Sequence, residues 1–311
     1  YSTASSPDAQ WLSGSRVAGT SITATGSHSY TRILDLGFNS FTSPMFGGFD
    51  GWDIREIEPM RNSSLTSVTD KTDYAYNTAK RAIDILREKT DVDFNIMVFP
   101  GLTEPSLTSK MLDVCADRKD AVAIIDLEGD YRPRSESSST EESRQGSAAS
   151  AISSLKSRSV NTSFGSTYYP WLIARENMSN QILAIPPSIA ALGVWSINDK
   201  KNNEWTAPAG VNRAQLSSGQ GGIEIIGVKE KLYADDQKKL YEQNINPIAK
   251  STKDGIVIWG QKTLLSTPKG SALTRLSVRR AMIAIRKAIT SVASTFVFEA
   301  NIPSSWAKFN Q

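Results

Sequence analysis

Between residues 94 and 127 the chain reads strand, helix, strand, and that order restricts the fold more than any other feature. Residues 94–99 are a β-rich apolar run closed by Pro100-Gly101. Residues 106–117 then set Leu107, Met111, Leu112 and Cys115 at helical spacing, and 121–127 is a second run that is apolar almost throughout. A strand apolar at nearly every position is covered on both faces, and two such strands joined through a helix pair in parallel by a right-handed crossover. The expected fold class is α/β, with mixed, partly parallel sheets flanked by helices in two lobes, residues 1–175 and 176–311.

The remaining pattern is consistent with that class. Residues 72–89 place Tyr76, Ala79, Ile83 and Leu86 on one helical face, with Asp73 near the start and Arg87 and Lys89 near the end, as the helix dipole favours. A Ser/Glu/Arg-rich stretch, 134–159, reads as an exposed loop followed by a helix from 148 to 155. Strands are expected at 163–173, 182–185 and 255–259, and helices at 188–195, begun by proline, and at 235–244. Residues 205–210 form a Pro/Gly-punctuated turn, 271–292 is the longest helix, and 296–299 suggests a last strand before a trailing coil.

Composition removes whole classes of function. The 311 residues carry 35 basic and 32 acidic side chains, and a net charge of +3 does not make the whole surface a binder of nucleic acid or anionic membrane. One cysteine, Cys115, and one histidine, His28, leave no intrachain disulfide and no Cys/His zinc set. The longest uncharged stretch, 177–198, contains Asn, Gln and Pro186-Pro187, which does not suit a membrane span. The opening, 1–31, is Ser/Thr/Gly-rich and begins without Met, so the chain is expected to be a fragment. The sequons at Asn62, Asn161 and Asn177 therefore carry no information.

Two readings of catalysis arise. Asp126, Glu128 and Asp130 alternate at the C-terminal end of a buried strand, where α/β proteins bind metals and phosphates. Without a phosphate loop of the G-x-x-x-x-G-K-[ST] type, a solvated strand edge is the preferred reading. Phe46-Gly47-Gly48-Phe49-Asp50-Gly51 offers positive-φ positions for a tight turn, but no strand before it or helix after it to make a phosphate cradle. His28 lies in a Ser/Thr/Gly loop and no G-x-S-x-G elbow presents a serine, so Ser/His and Cys/His chemistry is not expected. Cys115, on an apolar helix face, reads as a packed small hydrophobe.

Charge is concentrated elsewhere. From 255 to 298 there is no acidic residue, while seven basic ones fall there, leaving the rest of the chain net acidic. At about 100° per residue, Arg275, Arg279 and Arg286 share a narrow arc, Arg280 and Lys287 an adjacent one, and Leu276 and Ile283 a third. Val278, Ile285, Ile289 and Val292 form a separate apolar side. Solvated helix faces usually mix signs, because Glu to Lys pairs help the helix, so a single-sign face points to an acidic partner.

Several short elements, in order, resemble the tail sheath proteins of contractile-tailed bacteriophages. Gly47-Gly48-Phe49-Asp50-Gly51 resembles the family's GG-x-DG element. Phe99-Pro100-Gly101 and Ile124-Ile125-Asp126 are similar to its paired strands, Tyr168-Tyr169-Pro170-Trp171 to its YYPW strand, and Pro186-Pro187-Ser188 with Gly193 to its PPS helix start. Trp205 with Ala207-Pro208-Ala209-Gly210 matches the W-x-APAG turn. Asn244-Ile245-Asn246-Pro247-Ile248 resembles GIN-x-I, with Asn244 where glycine is usual. Trp259-Gly260-x-Lys262-Thr263-Leu264 and Val278-Arg279-Arg280 resemble WG-x-RTL and VRR, with lysine for arginine. Phe298-Glu299-x-Asn301 and Trp306 resemble the closing FEPN and W.

The resemblance runs from about Phe46 to Phe309 and implies a structural subunit of a contractile sheath, with no enzyme activity, cofactor or metal. It implies subunits that ring a tail tube and contract to drive it through the host envelope. Implied partners are other sheath copies, the tube, and baseplate and tail-terminator proteins, without nucleic acid or membrane insertion. The implied location is the phage tail, assembled in the bacterial cytoplasm. Arg275, Arg279, Arg280, Arg286 and Lys287 are then an expected protein interface, toward the tube or a neighbouring sheath subunit. The family's N-terminal arm and C-terminal domain have no counterpart in this sequence, so the chain alone is expected to stay monomeric. The alternatives are a metal-dependent phosphoryl-transfer or nuclease-like enzyme using Asp126, Glu128 and Asp130, and a monomeric nucleic-acid binder using the basic helix.

Overall fold

A computed structural model describes residues 11–12, 15–16, 62–65, 74–127, 146–175, 180–217 and 223–310. The chain divides into two compact units, Tyr1–Asp53 and Ile54–Gln311. In the first, β1 (Trp11–Leu12) pairs antiparallel with β2 (Ser15–Arg16). The second begins with α1 (Asn62–Leu65), α2 (Tyr74–Ile85), β3 (Ile96–Val98), α3 (Pro105–Arg118), β4 (Val122–Ile125) and α4 (Ala148–Ser157). It continues with β5 (Gly165–Tyr169), β6 (Leu172–Arg175), β7 (Ile182–Ile185), α5 (Pro187–Lys201), β8 (Glu224–Val228) and α6 (Ala234–Glu242). It ends with β9 (Asn246–Ser251), β10 (Gly255–Ile258), α7 (Leu276–Ser294) and α8 (Pro303–Asn310).

Five strands form one sheet in the order β10-β9-β5-β4-β3, parallel from β3 through β9, with β10 returning antiparallel. The expected crossover is β3-α3-β4, and all four residues of β4 are buried, as a strand covered on both faces requires. Helix α3 is set by its ends. The Glu104 carboxylate accepts from the Leu107 N–H, Pro105 occupies the first turn, where its missing N–H costs nothing, and Lys119 closes the helix in the left-handed region. Its apolar face lies so close to β5 that a Cβ on Gly165 would fall 2.1 Å from Leu112 Cδ2.

Three antiparallel strands form a second sheet in the order β7-β6-β8. The expected single strand at 163–173 is therefore two strands in two sheets, β5 and β6, separated by Pro170 and Trp171 after a cis Tyr169–Pro170 bond. One core cluster includes Val122, Ile124 and Tyr168 of the first sheet, Leu172 and Ile225 of the second, Trp195 of α5, and Leu276 and Ile283 of α7. Trp195 is wholly buried, and its indole N–H donates to the Tyr168 hydroxyl at 3.0 Å.

Other boundaries shift for local reasons. Helix α2 buries Tyr76, Ala79 and Ile83 but stops at Ile85, and the carbonyls of Leu86 and Glu88 beyond it are taken by Arg118. The longest helix starts at Leu276, after a 3₁₀ turn, Ala272–Thr274, capped by Ser271. Residues 296–299, expected as a strand, are turn as far as Phe298 and prolong the end of α7, and the expected trailing coil contains α8.

Candidate functional site

Asp126 follows β4 and is 1% exposed. Its Oδ2 accepts from the Gly101 N–H at 2.9 Å and the Ser188 hydroxyl at 2.6 Å, and its Oδ1 accepts from the Ser188 N–H at 3.2 Å. Gly101 sits at φ 83, the left-handed region, which lets the Pro100-Gly101 turn aim its N–H at the carboxylate. Ser188 lies in the first turn of α5, where free N–H groups and the helix dipole favour an anion. Asp126 supplies that anion from within the chain and ties the ends of β3 and β4 to the start of α5. Burial pushes its carboxyl up to about 6, against the opposing pull of the Ser188 and Gly101 donors and of Arg158.

This is a structural cross-tie. Glu128 and Asp130, the other members of the acidic triplet, lie outside the described residues, as do His28 and the Gly47-Gly48 turn. Among the described residues, no group of three or more His, Cys, Asp or Glu is placed to hold a metal ion. Cys115 is buried, with its Sγ 3.8 Å from Met97 Sδ, and burial pushes its thiol up to about 12.

The structure divides the five basic residues. Arg275 precedes α7 in extended backbone and is exposed, so it is off the arc expected for a helical residue. Arg280 points inward at 4% exposure and forms a two-pronged pair with the Asp199 carboxylate, its guanidinium 5.0 Å from the Trp195 ring centre. Arg279 is half-buried, bonded to the Ser163 hydroxyl and lying 4.1 Å over Phe164. Lys287 donates to Asp93 at 2.7 Å and to the Phe94 carbonyl at 2.8 Å. Arg286 is exposed and makes no ion pair with the described residues. The inward arginine of α7 is thus paired with Asp199, whereas Arg158 reaches the backbone carbonyl of Asp126 at 3.5 Å.

Two working residues had no role in the sequence reading, although one, Asn246, lies within a motif quoted there. Arg118 is 1% exposed, and its guanidinium bonds Asp120 and the carbonyls of Leu86, Glu88 and Val92, while lying 4.2 Å over Phe94. Only its place on a helix, beside an apolar face, hinted at burial. Asn246, wholly buried, accepts from the Lys262 N–H at 2.6 Å and donates to the carbonyls of Thr167 and Lys262. It ties β9 to β5 and to the segment after β10. Just before it, Asn244 sits at φ 64, which explains how asparagine serves where the resembling motif has glycine.

Residues 75–264 match the central domain of phage tail sheath proteins. The tail sheath protein of Vibrio phage KVP40 (isolate Vibrio parahaemolyticus/Japan/Matsuzaki/1991) is 31% identical over 133 residues, 43% of this chain and 18% of that protein. The match therefore spans less than a fifth of that relative's length. The fold is similar to the contracted sheath complex of an extracellular contractile injection system, PVC, with a TM-score of 0.53 and 22% identity over 78% of this chain and 64% of that one. It is also similar to the contracted helical sheath of the anti-feeding prophage, with a TM-score of 0.52 and 18% identity over 80% and 62%. With more than half of its residues, including the five-stranded and three-stranded sheets, inside the matched domain, the chain belongs to the phage tail sheath family.

Proposed function

We propose that the chain is part of a structural subunit of a contractile phage tail sheath, which assembles with copies of itself around the tail tube. The observation that carries this reading is the continuous family match over residues 75–264. On this reading subunit contacts store the energy, and repacking them drives the tube through the host envelope. Baseplate and tail-terminator proteins bound the assembly, which is built in the host cytoplasm and resides in the virion tail. The subunit works without catalysis, cofactor or nucleic acid. The enzyme alternative is not supported: Asp126, the described member of its triplet, spends its carboxylate on Gly101 and Ser188.

Within this reading the basic set of Arg275, Arg279, Arg280, Arg286 and Lys287 has two duties. Arg280, Lys287 and Arg279 hold α7 to the body, and the exposed Arg275 and Arg286 meet an acidic tube or sheath neighbour. Individual exposed pairs contribute only about 0 to 1 kcal/mol, but a ring of subunits repeats them. Negative-stain electron microscopy of the full-length sheath protein that contains this chain, produced together with a tail tube protein, tests the reading. Tubes thickened by a sheath are expected. Bare tubes, or metal-dependent hydrolysis abolished by Asp126→Ala, would overturn it.

A further inference from the structure

On the side of α7 opposite its buried line lie Val278, Met282, Ile285, Ile289 and Val292, spaced by four, three, four and three residues. Met282, Ile285, Ile289 and Val292 are 50 to 54% exposed. Large apolar residues left open in a contiguous row mark an interaction surface more often than scattered single ones do. The spacing specifies more than that. A stripe this narrow, repeating every three and four residues, is the seam of a coiled coil, which fits one further helix lying along it. One border is small, with Ala281 and Ala288, and lets a second helix approach closely; the other carries Arg279 and Arg286, with no acidic residue anywhere from 255 to 298.

We propose that this outer line of α7 docks an α-helix of another chain, apolar at the matching seam positions and acidic along one border. A second copy of α7 fits poorly. Paired antiparallel, the two borders set Arg279 and Arg286 against each other; paired parallel, they set Arg286 against Ala281. An acidic helix gains from both the seam and the exposed Arg286, since Arg279 is engaged with Ser163 and Phe164, and the charge selects it over a basic one. The inference extends the sheath reading without depending on it, because a peptide reports on the seam and electron microscopy reports on assembly.

The test uses the 311-residue chain and two labelled peptides of about four heptads each, identical in Leu and Ile seam positions, one with Glu and one with Lys at the borders. By fluorescence anisotropy the Glu peptide should bind at least about tenfold more tightly than the Lys peptide. Arg286→Glu should narrow or reverse that preference. Ile285→Asp with Ile289→Asp should abolish binding without lowering the thermal melt, since both side chains already face water. Equal binding of the two peptides, or binding that survives the double aspartate variant, would overturn the proposal. So would failure of the Glu peptide to bind, or a chain dimer in sedimentation equilibrium that Ile289→Asp dissolves, which would make the occupant a second copy.

Discussion

The two sides of α7 carry their residues in an order opposite to what hydrophobicity alone would give. Inward lie Leu276, Arg280, Ile283 and Lys287; outward lie Met282, Ile285, Ile289 and Val292. An arginine is 4% exposed while isoleucines one or two turns away are half in water. What separates the sides is what lies across from them. Arg280 meets Asp199 and the Trp195 ring, and Leu276 and Ile283 meet the core shared by both sheets. A partner of opposite charge and five donors in a planar fork make a buried arginine tolerable, and a helix sinks on the side where its partners are.

The largest effect should come from removing that lock. Arg280→Ala strands the mostly buried Asp199 and empties the space over Trp195, so denaturant unfolding should show a loss of about 3 to 5 kcal/mol. A loss below about 1 kcal/mol, the range of exposed pairs, would mean that the inner line is held by its apolar residues alone.

Asp126, a buried carboxyl, sharpens the contrast, because its direct ligands are neutral donors. Its carboxyl is raised from 3.8 to about 6, so the stability it contributes is complete below the lower value and is lost as pH rises through the upper one. Against Asp126→Asn, which does not titrate, wild-type stability should fall by on the order of 3 kcal/mol from about pH 4 to pH 7. A constant difference between the two proteins across that range would show that the Gly101 and Ser188 donors outweigh burial.

Matched truncations compare the two sides directly. Ile283→Ala should cost about 2 to 4 kcal/mol, with a cavity left in the shared core, whereas Ile289→Ala should stay within about 0.5 kcal/mol, as surface changes do. Equal losses would break the comparison. Lys287→Ala should likewise cost little, about 0 to 1 kcal/mol, since Asp93 on the far side of that pair is 82% exposed; the same unfolding assay reads it.

Legibility followed locality. The β3-α3-β4 unit was readable because burial on both faces writes an unbroken apolar run, and Leu107, Met111, Leu112 and Cys115 all pack as their spacing required. Strand β9 was not, because Pro247 sits inside it, and proline argues against a central strand. It is accommodated at the end of the β5 pairing, opposite Tyr169, where its carbonyl accepts from the Trp259 N–H. Periodicity separated the inner and outer lines of α7 but did not say which faced the core. That depended on Asp199, 81 residues away from Arg280, and no window on the sequence spans both. Asp126 drew attention as a candidate metal-site carboxylate for the same reason: its donors, Gly101 and Ser188, come from distant turns.

The most direct test of the outer line as a contact surface is thiol labelling of Ile289→Cys, in the free chain and in intact tails. The one native cysteine, Cys115, is buried with its thiol pushed up to about 12, so a maleimide reports the introduced residue. Rapid labelling of the free chain and strong protection in the tail is the predicted result. Equal labelling in both states would contradict it.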